Sequence, residues 1–220
     1  GVLDETRHYY FTSQWQDIEE RLGTTPSSAE AQQQYVWGLR YIDEIILRDR
    51  DTDGNGTLDE RLYATQDANW NVVAVVLITG EIVERFVYSA YGVPQFLNSA
   101  FESENATDVK WANLFAGQSI DTETQNLQCR TRYYDPMLGV FIGRDSIGYT
   151  VLMSLYEYSL SNPLKYLDPM GTLTVEVAPG STTGECGSTL STIFSLTTEG
   201  PNKVATWFVQ KITFKCKVAQ

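Results

Sequence analysis

The chain has 220 residues, with 16 Lys and Arg against 28 Asp and Glu and a net charge of −12. That length holds one or two domains with a buried core, and the acidic balance opposes binding to nucleic acid and to anionic lipid surfaces. The longest apolar run, residues 72–78, fits one buried strand and is too short for membrane insertion.

No signal peptide is visible, and Gly1 in place of a start Met reads as a processed product or a fragment. Residues 1–34 differ from the rest. TSQWQDIEERLG places Trp15, Ile18 and Leu22 at helical spacing, with Ser13 as N-cap and Gly23 as stop, so a short N-terminal helix or arm is expected. Residues 24–34 read as a polar loop. From Tyr35 the period changes to two: YVWGLRYIDEIILRDRD reads as a half-buried strand. Successive hairpins follow, with turns at 53–56, 67–71, 79–81 and 91–94. Residues 98–126 read as a long polar loop containing a short strand at 111–115. After Gly171 the Thr, Val and Phe-rich segments read as a small C-terminal β-sheet or sandwich. The expected fold is mainly β: an antiparallel β-hairpin meander over 35–172, an arm at 1–34 and a C-terminal β module at 173–220.

Residues 132–171 carry the densest pattern: YDP at Asp135, RDS at Asp145 and DPMG at Asp168, interleaved with Tyr133, Tyr134, Tyr149, Tyr156, Tyr158 and Tyr166. Asp-Pro and Gly punctuate strands, and alternating aromatics suit strand faces. This stretch resembles the RHS-repeat-associated core domain, which closes the β-shell of bacterial RHS/YD-repeat proteins. That family's pattern runs Arg-Tyr-Tyr-Asp-Pro, Gly-Arg-Phe, Asp-Pro-x-Gly, Leu-Tyr-x-Tyr, Asn-Pro and a final Asp-Pro-x-Gly-Leu. The resemblance is strong over about 110–172 and looser over 35–100. YSAYG at 88–92 keeps the Tyr and Gly of the family's repeat and lacks its Asp.

The resemblance implies a site for self-cleavage. Carried over by motif, Arg132 is the Arg of the first element, while Asp145 and Asp168 belong to the two Asp-Pro-x-Gly elements. The bond cut would join Thr172 to Leu173. Two close carboxylates do not both ionise easily, so one can donate a proton while the other activates water. Arg132 would bias which one ionises or stabilise the oxyanion. This sequence departs from the pattern at Val140, Ser146 and Thr172. In relatives a variable module, frequently a toxin, follows the core. Here that segment has no His and only Glu176, Glu185 and Glu199 as acids, an inventory that favours binding or assembly over metal or nuclease chemistry.

Other residues invite chemistry. Asp51, Asp53, Asn55, Gly56 and Asp59 follow the spacing of an EF-hand calcium loop, with Leu62 where its final Glu belongs. Two readings stay open: a calcium site, or an acidic turn needing no cofactor. Cys186 and Cys216 can pair across two C-terminal strands in an oxidising compartment, leaving Cys129 as a small buried apolar residue. Asn55 and Asn105 head Asn-x-Thr triplets. The single histidine, His8, sits among aromatics and reads as structural.

The sequence favours a secreted or cell-surface bacterial structural protein that associates with copies of itself through open β-edges, into fibres where the contact does not close. The alternatives are an autoproteolytic core that releases its C-terminal module, and a surface adhesin contacting glycans through its Trp and Tyr residues.

Overall fold

A computed structural model of the chain describes residues 6–27, 29–104, 109–146, 148, 154–172 and 175–176. Among these residues, nine strands form one antiparallel sheet in which each strand neighbours its predecessor. They are β1 (Arg7–Phe11), β2 (Asp17–Leu22), β3 (Glu30–Trp37), β4 (Ile45–Arg50), β5 (Glu60–Gln66), β6 (Val72–Val76), β7 (Ile82–Tyr88), β8 (Pro94–Asn98) and β9 (Ser103–Glu104). This is the expected meander. Its turns are fixed by local chemistry: the Asp67 carboxylate accepts the amides of Asn69 and Asn71 at 2.8 and 3.0 Å, an Asx-type turn.

A second antiparallel sheet holds β10 (Ser119–Ile120), β11 (Leu127–Cys129), β12 (Arg132–Asp135) and β13 (Val140–Phe141). β14 (Tyr166–Leu167) and β15 (Val175–Glu176) form a separate pair. The chain divides into one compact unit at 1–177 and another at 178–220. The second lies outside the described residues, as do the strands expected there, Cys186, Cys216 and Asn105.

Four local expectations are corrected. The residues read as a helix are the turn 12–16 and strand β2, which pairs with β1 and β3. The apolar spacing misled because the buried residue of β2 is Glu20, held by Arg7 and by Gln33, while Ile18 is exposed. The loop expected over 24–34 gives way to strand at Glu30, and the long strand from Tyr35 breaks between Trp37 and Ile45. The strand expected at 111–115 is an irregular segment ending in a 3-10 turn at Phe115–Gly117, where Ala116 takes a positive φ of 53°.

The core lies between one face of the meander and the segment at 109–167. Ile45, Leu62, Val75 and Phe86 from the meander meet Trp111, Leu114, Phe115, Tyr134 and Tyr158. Polar links fix the layers. Val72 N–H donates to Leu114 O at 3.1 Å, and Ala116 N–H donates to Asn71 Oδ1 at 2.8 Å. Gly92, at a φ of 92°, leaves room for the Phe115 ring, whose Cδ1 would lie 2.6 Å from any added Cβ. No helix among the described residues is long and apolar enough to cross a membrane.

Candidate functional site: a hairpin tip grips the 168–172 turn

The β11–β12 hairpin turns through Arg130 and Thr131, since Cys129 pairs directly with Arg132. Arg130 takes a positive φ of 51° there. The three residues from Arg130 to Arg132 each hold one carbonyl of the DPMG turn. Arg130 Nη1 donates to Pro169 O at 2.5 Å, Thr131 Oγ1 to Met170 O at 2.7 Å, and Arg132 Nε to Gly171 O. Gly171 is needed for that approach: its φ is 70°, and an added Cβ would sit 2.5 Å from Cys129 O.

The predicted trio comes together at this grip. Arg132 Nη2 lies 3.1 Å from Asp145 Oδ2 and 3.4 Å from Asp168 Oδ2, with Arg132 and Asp168 buried and Asp145 partly so. Arg132 Nη1 also donates to Leu155 O at 3.0 Å, and its guanidinium stacks 3.6 Å from the Phe141 ring centroid. Burial holds the Arg132 pKa below its usual value, against the opposing pull of Asp145 and Asp168. Asp168 Oδ1 accepts the Thr172 amide at 3.0 Å, so the turn presents Thr172 beside the paired acids. Leu173 lies outside the described residues. Behind the trio, Cys129 is a free, buried thiol whose pKa burial pushes well up, helped by Asp168.

The turn signals at Asp135 and Asp145 part company. Asp135 Oδ1 accepts the amides of Met137 and Leu138 at 2.8 and 3.0 Å, an ordinary turn cap. The Asp145 carboxylate faces Arg132.

A second buried cluster went unread in the sequence. Asp43 forms a two-point ion pair with Arg130, at 2.5 and 3.1 Å, and accepts Gln118 Nε2 at 2.8 Å. Burial raises the Asp43 pKa and Arg130 opposes the shift. Arg130 thus links the meander to the DPMG turn. Its signal was the run CRTR at 129–132, of which only the last residue matched a motif.

The acidic loop is elsewhere, between β4 and β5. Asp51 spends its carboxylate on the loop's own amides: Oδ1 accepts Gly54 N–H at 2.7 Å and Oδ2 accepts Gly56 N–H at 2.8 Å. Those bonds hold its pKa down despite some desolvation. Asp59 is turned onto Thr52, and Asp53 and Asn55 bond to each other. A hard cation would have to displace these amide donors, and among the described residues no group of three or more His, Cys, Asp or Glu is arranged to hold a metal. His8 bonds Gly23 O at 3.0 Å.

Fold and site together define a class: an antiparallel β-meander closed by a small core that grips its own exit turn. No family model matches the chain. Its curated relatives include the tRNA(Glu)-specific nuclease WapA of Bacillus subtilis subsp. natto, 31% identical over 116 residues, or 51% of this chain. They also include the probable deoxyribonuclease RhsA of Dickeya dadantii, 37% identical over 79 residues, or 36% of this chain. The chain spans 5% of the length of each. Among solved structures, the TcdB2-TccC3 crystal structure matches with a TM-score of 0.50 and 16% identity, over 78% of this chain and 9% of that one. The chain is a relative of the RHS-repeat-associated proteins, as residues 132–171 imply.

Proposed function

We propose that this chain is an RHS-type shell segment whose core cuts its own backbone between Thr172 and Leu173. The observation that carries the reading is Arg132, bridging the Asp145 and Asp168 carboxylates while gripping the turn that leads into that bond. One guanidinium faces two acidic groups, and aspartyl chemistry needs two such carboxyls held together, one to donate and one to accept. In that chemistry the ionised carboxylate takes a proton from water, whose oxygen attacks the Thr172 carbonyl carbon. The protonated carboxyl supports the carbonyl oxygen, and the amine of Leu173 leaves with a proton. Hydrogen bonds to three successive carbonyls hold the turn before the reacting peptide, which lowers the orientational cost.

Intact-mass analysis under denaturing conditions tests this. The 24.8 kDa chain is expected to yield a fragment ending at Thr172, and Asp145→Asn or Asp168→Asn to abolish it while the melting transition persists. A single uncut species at every pH from about 4 to 8 overturns the reading. The nuclease activities named for the two relatives belong to proteins of which this chain covers only a small part, and secretion to the bacterial surface fits their kinship.

A second reading has its own observation. Among the described residues β1 pairs only with β2, and it carries Tyr9, Tyr10 and Phe11 exposed at 51, 36 and 53%. Such an edge supports assembly by strand addition from a second copy.

A further inference from the structure

One turn recurs through the meander. The first residue's amide donates to the carbonyl of the fifth, and the fourth residue's amide donates back to the carbonyl of the first, as at 2.8 and 3.0 Å among Thr12, Trp15 and Gln16. The fourth residue is left-handed. The β6–β7 and β7–β8 turns place Gly80 and Gly92 there, at φ of 85° and 92°, which glycine adopts without strain. The β1–β2, β5–β6 and β8–β9 turns place Trp15, Trp70 and Phe101 there instead, at 62°, 61° and 66°. A large side chain in that conformation carries strain that its contacts must offset. For two of these rings the contact is a guanidinium: Arg40 lies 5.2 Å from the Trp70 ring centroid, and Arg85 lies 4.0 Å from that of Phe101. Arg40 is held at the same time by the Glu44 carboxylate, to which its Nε donates at 2.6 Å. Among the described residues no cation and no ring lies over Trp15, which is 65% exposed.

Trp15 faces a cleft of 620 Å³ within the 1–177 unit, between the first three strands and the β10–β11 sheet. Tyr9 and Phe11 from β1 and Tyr35 and Trp37 from β3 add their rings to its wall. The charge of the cleft is acidic. Asp17 lines it, and its Oδ1 is buried without a hydrogen-bond partner among the described residues. Asp121 lines it as well, and the Glu123 amide and the Thr124 hydroxyl hold its pKa below the usual carboxylate value. Arg130, the cation of the lining, is already engaged by Asp43 and Pro169.

From this arrangement we infer that the cleft binds a guanidinium ligand, an arginine side chain of a partner or a free guanidinium compound, with the cation over Trp15 and against Asp17. Ring and carboxylate would do for the ligand what Trp70 and Glu44 do for Arg40. A planar guanidinium lies flat on an indole and donates from its edge to a carboxylate at once, which an apolar or anionic ligand cannot do. The buried Asp17 acceptor calls for such a donor, and the chain's net charge of −12 draws cations toward it. The titratable and charged groups around Asp17 are Glu19 and Glu20 on its own strand, with Arg7 of β1 paired to Glu20, Tyr9 on β1 and Tyr35 on β3. Burial pushes the Asp17 pKa up to about 7, so an arriving cation meets a protonated carboxyl below that pH and a carboxylate above it. Binding therefore strengthens as pH rises. Trp15 and Asp17 take no part in the grip on the 168–172 turn, so the inference stands apart from the cleavage reading.

The test titrates the full chain with two capped hexapeptides, Gly and Ser throughout except for one central arginine or citrulline, and with N-acetyl-arginine amide. Tryptophan fluorescence and calorimetry follow binding at about 0.15 M salt. Citrulline keeps the shape of arginine and lacks its charge. The arginine peptide is expected to bind saturably, about tenfold or more tighter than the citrulline peptide, and to gain affinity from about pH 5 to 8. Trp15→Ala should weaken it about tenfold. Asp17→Asn should weaken it and flatten the rise with pH, and Phe101→Ala, a turn aromatic elsewhere, should leave it intact. Melting curves establish that the variants fold. Tighter binding of the peptide than of the single capped arginine assigns the site to a protein partner, and equal affinities assign it to a free guanidinium compound. Absence of binding up to about 10 mM, equal binding of the citrulline peptide, or indifference to Trp15→Ala would each overturn the inference.

Discussion

At the scale of single residues, charge carries information that apolar pattern does not. Asp17 is half-buried beside Glu20, and burial raises its pKa from 3.8 to about 7. A carboxyl that keeps its proton to about pH 7 when folded, but only to 3.8 when unfolded, binds more protons in the folded state between those values. Stability from this group is therefore greatest at the acid end of that window and declines as pH rises through it. Relative to Asp17→Asn, the wild-type melting temperature should fall by a few degrees, roughly, between pH 4 and 7 and run parallel above that. Parallel curves across the whole range would mean that Asp17 titrates normally.

At the scale of elements, what the sequence revealed depended on which side chains were apolar. β6, VVAVV, and β7 were legible because Val72, Val75 and Phe86 are buried as their pattern requires. β2 was not, because it turns Glu20 inward and Ile18 outward. β4 and β5 likewise face Arg48 and Arg50 against Glu60, at 2.9 Å each. Arg48 is 1% exposed, and it donates to the carbonyls of Val109 and Lys110 and stacks over Trp111. With Arg50, which also donates to Val109 O at 2.7 Å, it ties the irregular segment at 109–111 to the meander. Arg48→Met should cost about 2 kcal/mol in denaturant unfolding, because it orphans the Lys110 carbonyl and leaves Val109 O and Glu60 to Arg50 alone. A loss below about 1 kcal/mol would mean that water replaces the guanidinium. At the candidate site, the motif named Arg132, Asp145 and Asp168. It could not name Arg130 or Thr131, whose roles come from a hairpin tip meeting a turn some forty residues later along the chain.

For the whole molecule, sheet order decides what stays open. Among the described residues the meander has two edges, and β1 presents the aromatic one. If that edge adds strands from neighbours, purified chain should show concentration-dependent growth in light scattering and negative-stain images. Replacing Tyr10 with Lys should suppress it, because charge on an edge strand blocks pairing. Tyr10 lies on the strand face opposite Tyr9 and Phe11, so that stacked pair would be kept. Uniform monomers across concentrations would leave β1 as a blunt end.

The small β14–β15 pair has a consequence for any cut at Thr172. Tyr166 pairs with Glu176 and Leu167 with Val175, so the ladder straddles the bond between Thr172 and Leu173. A nicked molecule would still be zipped across the nick. Hydrolysis and departure of the downstream chain would then be separate events with separate triggers, and a protein fully cut by chemistry would still migrate as one particle in a native gel.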